Sequence, residues 1–256
     1  MSMAVAEALI EAGEKPLEEL MAAIVGRFIS WRHSPDNFRS PGISTLLAID
    51  HLESGKPWRE SGSRNSKGCG SVMRTAPIGY FYRNNLIRMR ETAHAVGTAT
   101  HAHPTADAAC LAASYAVGLA FSGVPAADWL TRIQNETHGI SSEFDATWKR
   151  LIEALKLPDE LQGLELIGKN FQGWTADEVL ASSLYCVLRH SNDFRACLLR
   201  SINNDGDSDS IGCVAGAIQG ARLGVGAIPK EWLEGIERRA DLEELDVNDS
   251  VTVTDN

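Results

Sequence analysis

Apolar residues recur along this chain at intervals of three and four, and no two segments alternate with the period that paired strands require. Leu20, Ile24, Phe28 and Trp31 mark one helical face across Leu17–Trp31. The same spacing runs from Ile43 to Ser54, where Gly55 supplies a left-handed stop. Thr175-Ala-Asp-Glu178 has the spacing of a capping box and opens a helix through Leu180, Leu184, Val187 and Leu188 to His190. Ser191-Asn-Asp193 caps another, with Phe194, Cys197, Leu198 and Ile202 on one face. Met1–Glu14 reads as helix without a start signal, 130–171 as two peripheral helices, and Lys230–Leu245 as a last helix. Polar stretches at His33–Gly42 and Pro57–Lys67 read as loops. The pattern predicts an all-α fold in a single domain over residues 1–245, followed by a polar tail, 246–256, that frays.

Ala108–Ala127 is uncharged throughout. It consists mostly of Ala, Ser and Gly and lacks basic flanks, so it predicts a buried core helix and no membrane span. The chain has 256 residues, 44% of them hydrophobic, enough to enclose a sizeable core. A net charge of −10 without a basic cluster argues against a nucleic-acid partner. The five cysteines, Cys69, Cys110, Cys186, Cys197 and Cys213, are odd in number and form no C-x-x-C. That fits a reduced, cytoplasmic protein better than a disulfide framework or a zinc site. Glu7, Glu11 and Glu14 stand where a signal peptide would have a basic and then an apolar region.

The most informative stretch is Ser201–Pro229. Asp205, Asp207 and Asp209 alternate inside a Gly/Ser/Asn-rich turn, which then enters a helix with Gly212, Gly216, Gly220 and Gly224 in register. Alternating carboxylates and hydroxyls are hard oxygen donors suited to Mg²⁺, Mn²⁺ or Ca²⁺. An EF-hand is excluded, because counting from Asp205 its glycine and glutamate positions hold Ser210 and Gly216. A solvated acidic turn remains the simpler reading of the aspartates alone, but it leaves the glycine face unexplained. Each of those glycines costs about 1 kcal/mol of helix propensity, so four together predict a close backbone approach. Ser208 or Ser210 is the expected N-cap.

Three other segments carry candidate chemistry, each with a plainer alternative. Ser40-Pro41-Gly42 before Ile43, Ser44 and Thr45 could hold a phosphate at a helix N-terminus, or Ser44 and Thr45 could simply cap the helix. Gly68 and Gly70 bracket Cys69, either for close ligand approach or for a tight turn. His101 and His103 precede Pro104, with no spacing that completes a zinc site, so capping, hydrogen bonding or a ligand contact is expected.

Taken together these segments resemble the ADP-ribosylglycohydrolases, the family of the dinitrogenase-reductase-activating glycohydrolase. Asn203–Gly212 with its AGAIQGA continuation resembles the family's metal-binding signature, and Ser66–Gly79 resembles its Gly-x-Gly-x-x-Met-Arg segment. Thr100-His101 before an Ala-rich helix and Pro41–Leu52 resemble two further ones, so the likeness covers roughly residues 3–228. The resemblance implies a compact orthogonal helical bundle. It also implies two Mg²⁺ or Mn²⁺ ions and hydrolysis of the bond between ADP-ribose and an acceptor, most simply arginine of an ADP-ribosylated protein. On it, Asp207, Asp209 and Ser210 are metal ligands. Gly42, Ile43 and Ser44 line the diphosphate, Ser66, Lys67, Gly68 and Gly70 line the ADP-ribose groove, and His101 contacts the ligand.

The family's opening Gly-Asp segment and its Thr-Asp-Asp-Thr-like motif have no counterpart here. Met1-Ser2-Met3-Ala4 resembles the residues just after them. The resemblance therefore implies ligands for part of the metal shell and assigns no catalytic residue. An ADP-ribose-binding relative without full activity is the alternative. An unrelated all-α metal-dependent phosphohydrolase is a third reading, but its usual adjacent His-Asp pair is absent from the sequence.

Overall fold

A computed structural model describes residues 1–35, 37–168 and 173–245. Helices supply the whole framework, and the described residues contain no strand, only two isolated bridges. In order the helices are α1 Ser2–Ala12, α2 Leu17–Arg32, α3 Ile43–Glu53, α4 Trp58–Ser61, α5 Ala76–Phe81, α6 Leu86–Thr98 and α7 Pro104–Phe121. There follow α8 Ala126–Thr137, α9 Ser142–Ala154, α10 Glu160–Ile167, α11 Ala176–Arg189, α12 Phe194–Ile202, α13 Ser208–Leu223 and α14 Lys230–Glu234. Short 3-10 segments lie at Cys69–Arg74 and Val225–Ala227.

Only 108–121 of the uncharged run lie in α7, which starts at Pro104; 122–125 turn, with Gly123 at φ +68°, and 126–127 open α8. The helix α7 is the axis of the molecule. It packs against α5, α6, α8, α9, α11 and α13. Its alanines, Ser114 and Gly118 are buried all round. Small side chains let so many neighbours approach, and the closest is α5. A Cβ on Gly79 would lie 2.0 Å from the Ser114 carbonyl oxygen. On one side α1, α2 and α6 close an apolar cluster around Leu9, Ile24, Phe28 and Met89. On the other, α8, α9, α11 and α13 close a second around Trp129, Trp148, Leu184 and Ile218. No helix is long and apolar enough to cross a membrane among the described residues.

Several boundaries differ from the sequence reading. Pro57–Lys67 holds the short helix α4. Residues 130–171 contain α9 and α10 besides the body of α8, because Gly139 turns at φ +85° and Ser141 caps a new helix through the Phe144 amide. Phe171 and the tail 246–256 lie outside the described residues. The last helix is broken: α14 ends at Glu234, Arg238 takes φ +57°, and helix resumes over 239–245. Gly55 does adopt the left-handed turn expected of it, at φ +90°. The capping box does not form. Thr175 makes no side-chain cap bond, and Glu178, 1% exposed, accepts from the Gly173 amide and pairs with Arg150.

The glycine face of α13 also differs from expectation. It receives side chains, not a backbone: a Cβ on Gly212 would meet Ile202 at 2.6 Å, and Gly216 faces Leu198 at 3.6 Å. Gly224 is off that face altogether and ends the helix at φ +75°. Neither Ser208 nor Ser210 is the N-cap. Asp207 holds that position, without a side-chain cap bond.

Candidate functional site

The segment Ser66–Gly70 is the seam on which the candidate residues meet. The Cys69 amide donates to the Trp174 carbonyl at 3.2 Å and the Ala176 amide to the Lys67 carbonyl at 2.8 Å, so the start of α11 is stitched to one edge. Just upstream, the Ala102 amide donates to the Ser63 carbonyl at 2.9 Å, which fastens the His101 loop to the same run. Cys69–Arg74 then winds as a 3-10 turn and carries Arg74 into the interior.

Cys69 joins this seam to the acidic turn. Its Sγ donates to Asp207 Oδ2 at 3.1 Å and accepts from Ser210 Oγ at 3.4 Å. Burial pushes the thiol up to about 12, so it stays protonated and remains a donor. Asp207 is half-buried, and burial together with the neighbouring Asp209 carboxylate raises it above the ordinary carboxylate range. Asp209 is exposed and Ser210 buried. Gly173 presses on the far side of Asp207, where an added Cβ would lie 3.6 Å from the Asp207 Cβ.

His101 borders the glycines of the seam. A Cβ on Gly68 would lie 3.2 Å from its Nε2, and one on Gly70 3.3 Å from its Cε1. His101 is 3% exposed, and burial, reinforced by the Arg74 charge, lowers it to about 3, so the ring is neutral at physiological pH. Its Nδ1 lies 2.7 Å from Thr100 Oγ1. His103 is a helix cap: its Nδ1 accepts from the Thr105 amide at the start of α7.

The α3 end joins less completely. Ser66 Oγ donates to Ser44 Oγ at 2.9 Å, and the hydroxyl of Thr45 lies 3.1 Å from where a Gly70 Cβ would sit. Gly42 caps α3 by backbone alone, and the side chain of Ile43 is 76% exposed. Lys67 pairs with Glu143 at 2.6 Å, which holds that carboxylate below its usual range. Ser44, Ser66, Gly68, Gly70, His101, Asp207 and Ser210 are thus linked in one network of contacts through Cys69 and Thr45, and Asp209 borders it. The Ile43 side chain stands outside it. Cys69, Thr100 and Arg74 stand inside the motifs named above, but sequence reasoning gave them no role. The Gly-Cys-Gly bracket was the available signal for the first. A cavity of about 650 Å³ opens beside the turn, lined by Asn203, Asn204, Asp205 and α10 side chains, and by none of the residues that the resemblance implies for the site.

For a divalent cation the donors present are two carboxylates and a hydroxyl, all hard oxygens, crowded so that one carboxylate raises the other. Among the described residues no cluster of three or more His, Cys, Asp or Glu is placed to hold a metal. Asp207, Asp209 and Ser210 would offer hard oxygen donors for part of a Mg²⁺ or Mn²⁺ shell.

The sequence model of the ADP-ribosylglycohydrolases matches residues 1–255. The chain belongs to that family. It is 24% identical over 184 residues to the ADP-ribosyl-(dinitrogen reductase) glycohydrolase of Rhodospirillum rubrum, covering 71% of this chain and 54% of that protein. It is 25% identical over 197 residues to the ADP-ribosylarginine hydrolase Tri1 of Pseudomonas putida, covering 76% and 49%. The chain thus spans about half the length of these curated relatives. A solved ADP-ribosylglycohydrolase-related protein complex superposes with a TM-score of 0.75 at 24% identity, over 96% of this chain and 77% of that one. The fold is therefore the all-helical ADP-ribosylglycohydrolase fold.

Proposed function

We propose that this chain carries the ADP-ribose site of a hydrolase that cleaves the glycosidic bond between ADP-ribose and arginine of a modified protein. The observation that carries this reading is the meeting of Asp207 and Ser210 on Cys69, between the two glycines that face His101. Family membership supports the reaction class, and the arginine hydrolase among the relatives supports the acceptor.

The chain's own residues would divide the work as follows. The N-terminus of α3, capped by Gly42, offers the Ile43 and Ser44 amides to the diphosphate. Gly68 and Gly70 let backbone approach the ribose without obstruction. Asp207 and Asp209 place negative charge where positive charge develops at the anomeric carbon. Mg²⁺ or Mn²⁺ held by Asp207, Asp209 and Ser210 would orient ribose hydroxyls and water. Two carboxylates and one hydroxyl make an incomplete shell, which favours, as a second reading, a relative that binds ADP-ribose without releasing it.

The test is release of ADP-ribose from an arginine-ADP-ribosylated protein with Mn²⁺ or Mg²⁺, beside Asp207→Ala and Asp209→Ala. Metal-dependent release lost in both variants supports the hydrolase. Release unchanged in EDTA and in both variants refutes the metal role. Tight ADP-ribose binding without turnover establishes the second reading.

A further inference from the structure

Arg74 is wholly buried, no carboxylate bears on its charge, and its Nε has no hydrogen-bond partner among the described residues. An unpaired buried charge is costly, so its contacts need a reason. Its Nη1 donates to the Gly70 carbonyl at 3.0 Å and its Nη2 to the Val96 carbonyl at 2.9 Å. The guanidinium lies over the Phe28 ring, 5.1 Å from the centroid. Nη2 also donates to Thr100 Oγ1, the same hydroxyl that meets His101 Nδ1.

The hydrogen count at Thr100 has one satisfactory solution. A guanidinium only donates, so Thr100 Oγ1 spends one lone pair accepting from Arg74. Its own proton then needs an acceptor, and Thr100 is wholly buried. If Nδ1 carried a proton, that hydroxyl proton would have no partner, a penalty native interiors avoid. If Nδ1 is bare, Thr100 donates to it, and both the Thr100 hydroxyl and His101 Nδ1 are satisfied. The ring proton then sits on Nε2, the atom that faces Gly68 and Gly70 and has no hydrogen-bond partner among the described residues.

We propose that Arg74 is a positioning residue: through Thr100 it fixes His101 as the neutral Nε2–H tautomer, which presents a donor to an oxygen of the ligand held over Gly68 and Gly70. His101 accordingly serves as a donor, not as a base. That the oxygen belongs to ADP-ribose rests on the function proposed above; the tautomer does not.

Nitrogen-15 NMR of the histidine rings in the full chain separates the two. The His101 signal is identified by its loss in His101→Gln. Wild-type protein is expected to show a bare Nδ1 and a protonated Nε2. Thr100→Val should mix the tautomers and weaken ADP-ribose binding about tenfold, the worth of one buried hydrogen bond, and Thr100→Ser should restore both. Arg74→Met should also mix the tautomers. A protonated Nδ1 in wild type, or an unchanged tautomer in folded Thr100→Val or Arg74→Met, overturns the proposal. If a variant fails to fold, the wild-type spectrum still decides the tautomer. An Nε2–H tautomer that follows Thr100 as expected, in protein that binds no ADP-ribose, upholds the relay and refutes the functional reading.

Discussion

The thiol of Cys69 donates to Asp207 Oδ2 at 3.1 Å across 138 residues of sequence. It is the one direct side-chain bond recorded between the Gly-Cys-Gly seam and the carboxylates of the acidic turn among the described residues. Cys69→Ser keeps a donor there, whereas Cys69→Ala removes it and leaves Asp207 held only from the side of Ser210 and Asp209. A hydrogen bond to a charged group contributes about 1.5–3 kcal/mol, so Cys69→Ala should lower ADP-ribose release by about tenfold or more. Cys69→Ser should stay within a few-fold of wild type. Equal rates in all three proteins would show that the thiol does not position Asp207.

How much of this was readable beforehand depended on the range of the interaction. Helical periodicity at Leu20, Ile24, Phe28 and Trp31 is local, and it placed α2 within a residue. The small-residue run 108–127 marked the central helix for the same reason, though that helix ends at Phe121 and the run's last residues turn into α8. The misreadings came where tertiary partners decided. Glu178 fits a capping box by spacing, yet Arg150 and Gly173 claim its carboxylate. The glycines of α13 suggested a backbone neighbour, but α12 fills that face with Ile202 and Leu198. The acidic turn and the glycine seam were both visible as motifs. Their junction at Cys69 was not, because a thiol between two glycines carries no local sign of a partner 138 residues away.

Two glycine substitutions should separate folding from ligand binding. A Cβ on Gly79 would sit 2.0 Å from the Ser114 carbonyl, where two helix backbones meet and neither can yield. Gly79→Ala should cost about 3 kcal/mol or more, visible as a large fall in the thermal midpoint. A Cβ on Gly70 would meet only the Thr45 hydroxyl at 3.1 Å and the His101 ring at 3.3 Å. Gly70→Ala should melt within about 1 kcal/mol of wild type and still lose affinity for ADP-ribose in calorimetry. A Gly70→Ala protein that binds normally would remove the seam from the ligand site.

Divalent cations give a test that needs no substrate. A ligand that binds only the folded state stabilises it by about 2.7 kcal/mol at one hundred times its dissociation constant. Mn²⁺ should raise the melting temperature of wild type and leave Asp207→Ala and Asp209→Ala unmoved. Calorimetric titration with Mn²⁺ should give no saturable heat in either variant. A shift of the same size in all three proteins would place the ion elsewhere.

Buried His101 also predicts how stability depends on pH. Its folded value is lowered to about 3, well below the 6.5 of an exposed imidazole. Between those values the unfolded chain binds a proton that the folded chain refuses, so the unfolded state gains as pH falls. The stability that this group protects is therefore complete above pH 6.5 and is lost progressively toward pH 3, at up to about 1.4 kcal/mol per pH unit. Above pH 7 it contributes no slope. His101→Gln keeps a neutral polar group in the same place and cannot titrate. Urea unfolding from pH 7 to pH 4.5 should show stability falling more steeply in wild type than in His101→Gln, by close to one proton. Parallel curves would mean that His101 takes up a proton in the folded protein, and the neutral ring on which the donor role depends would be lost with it.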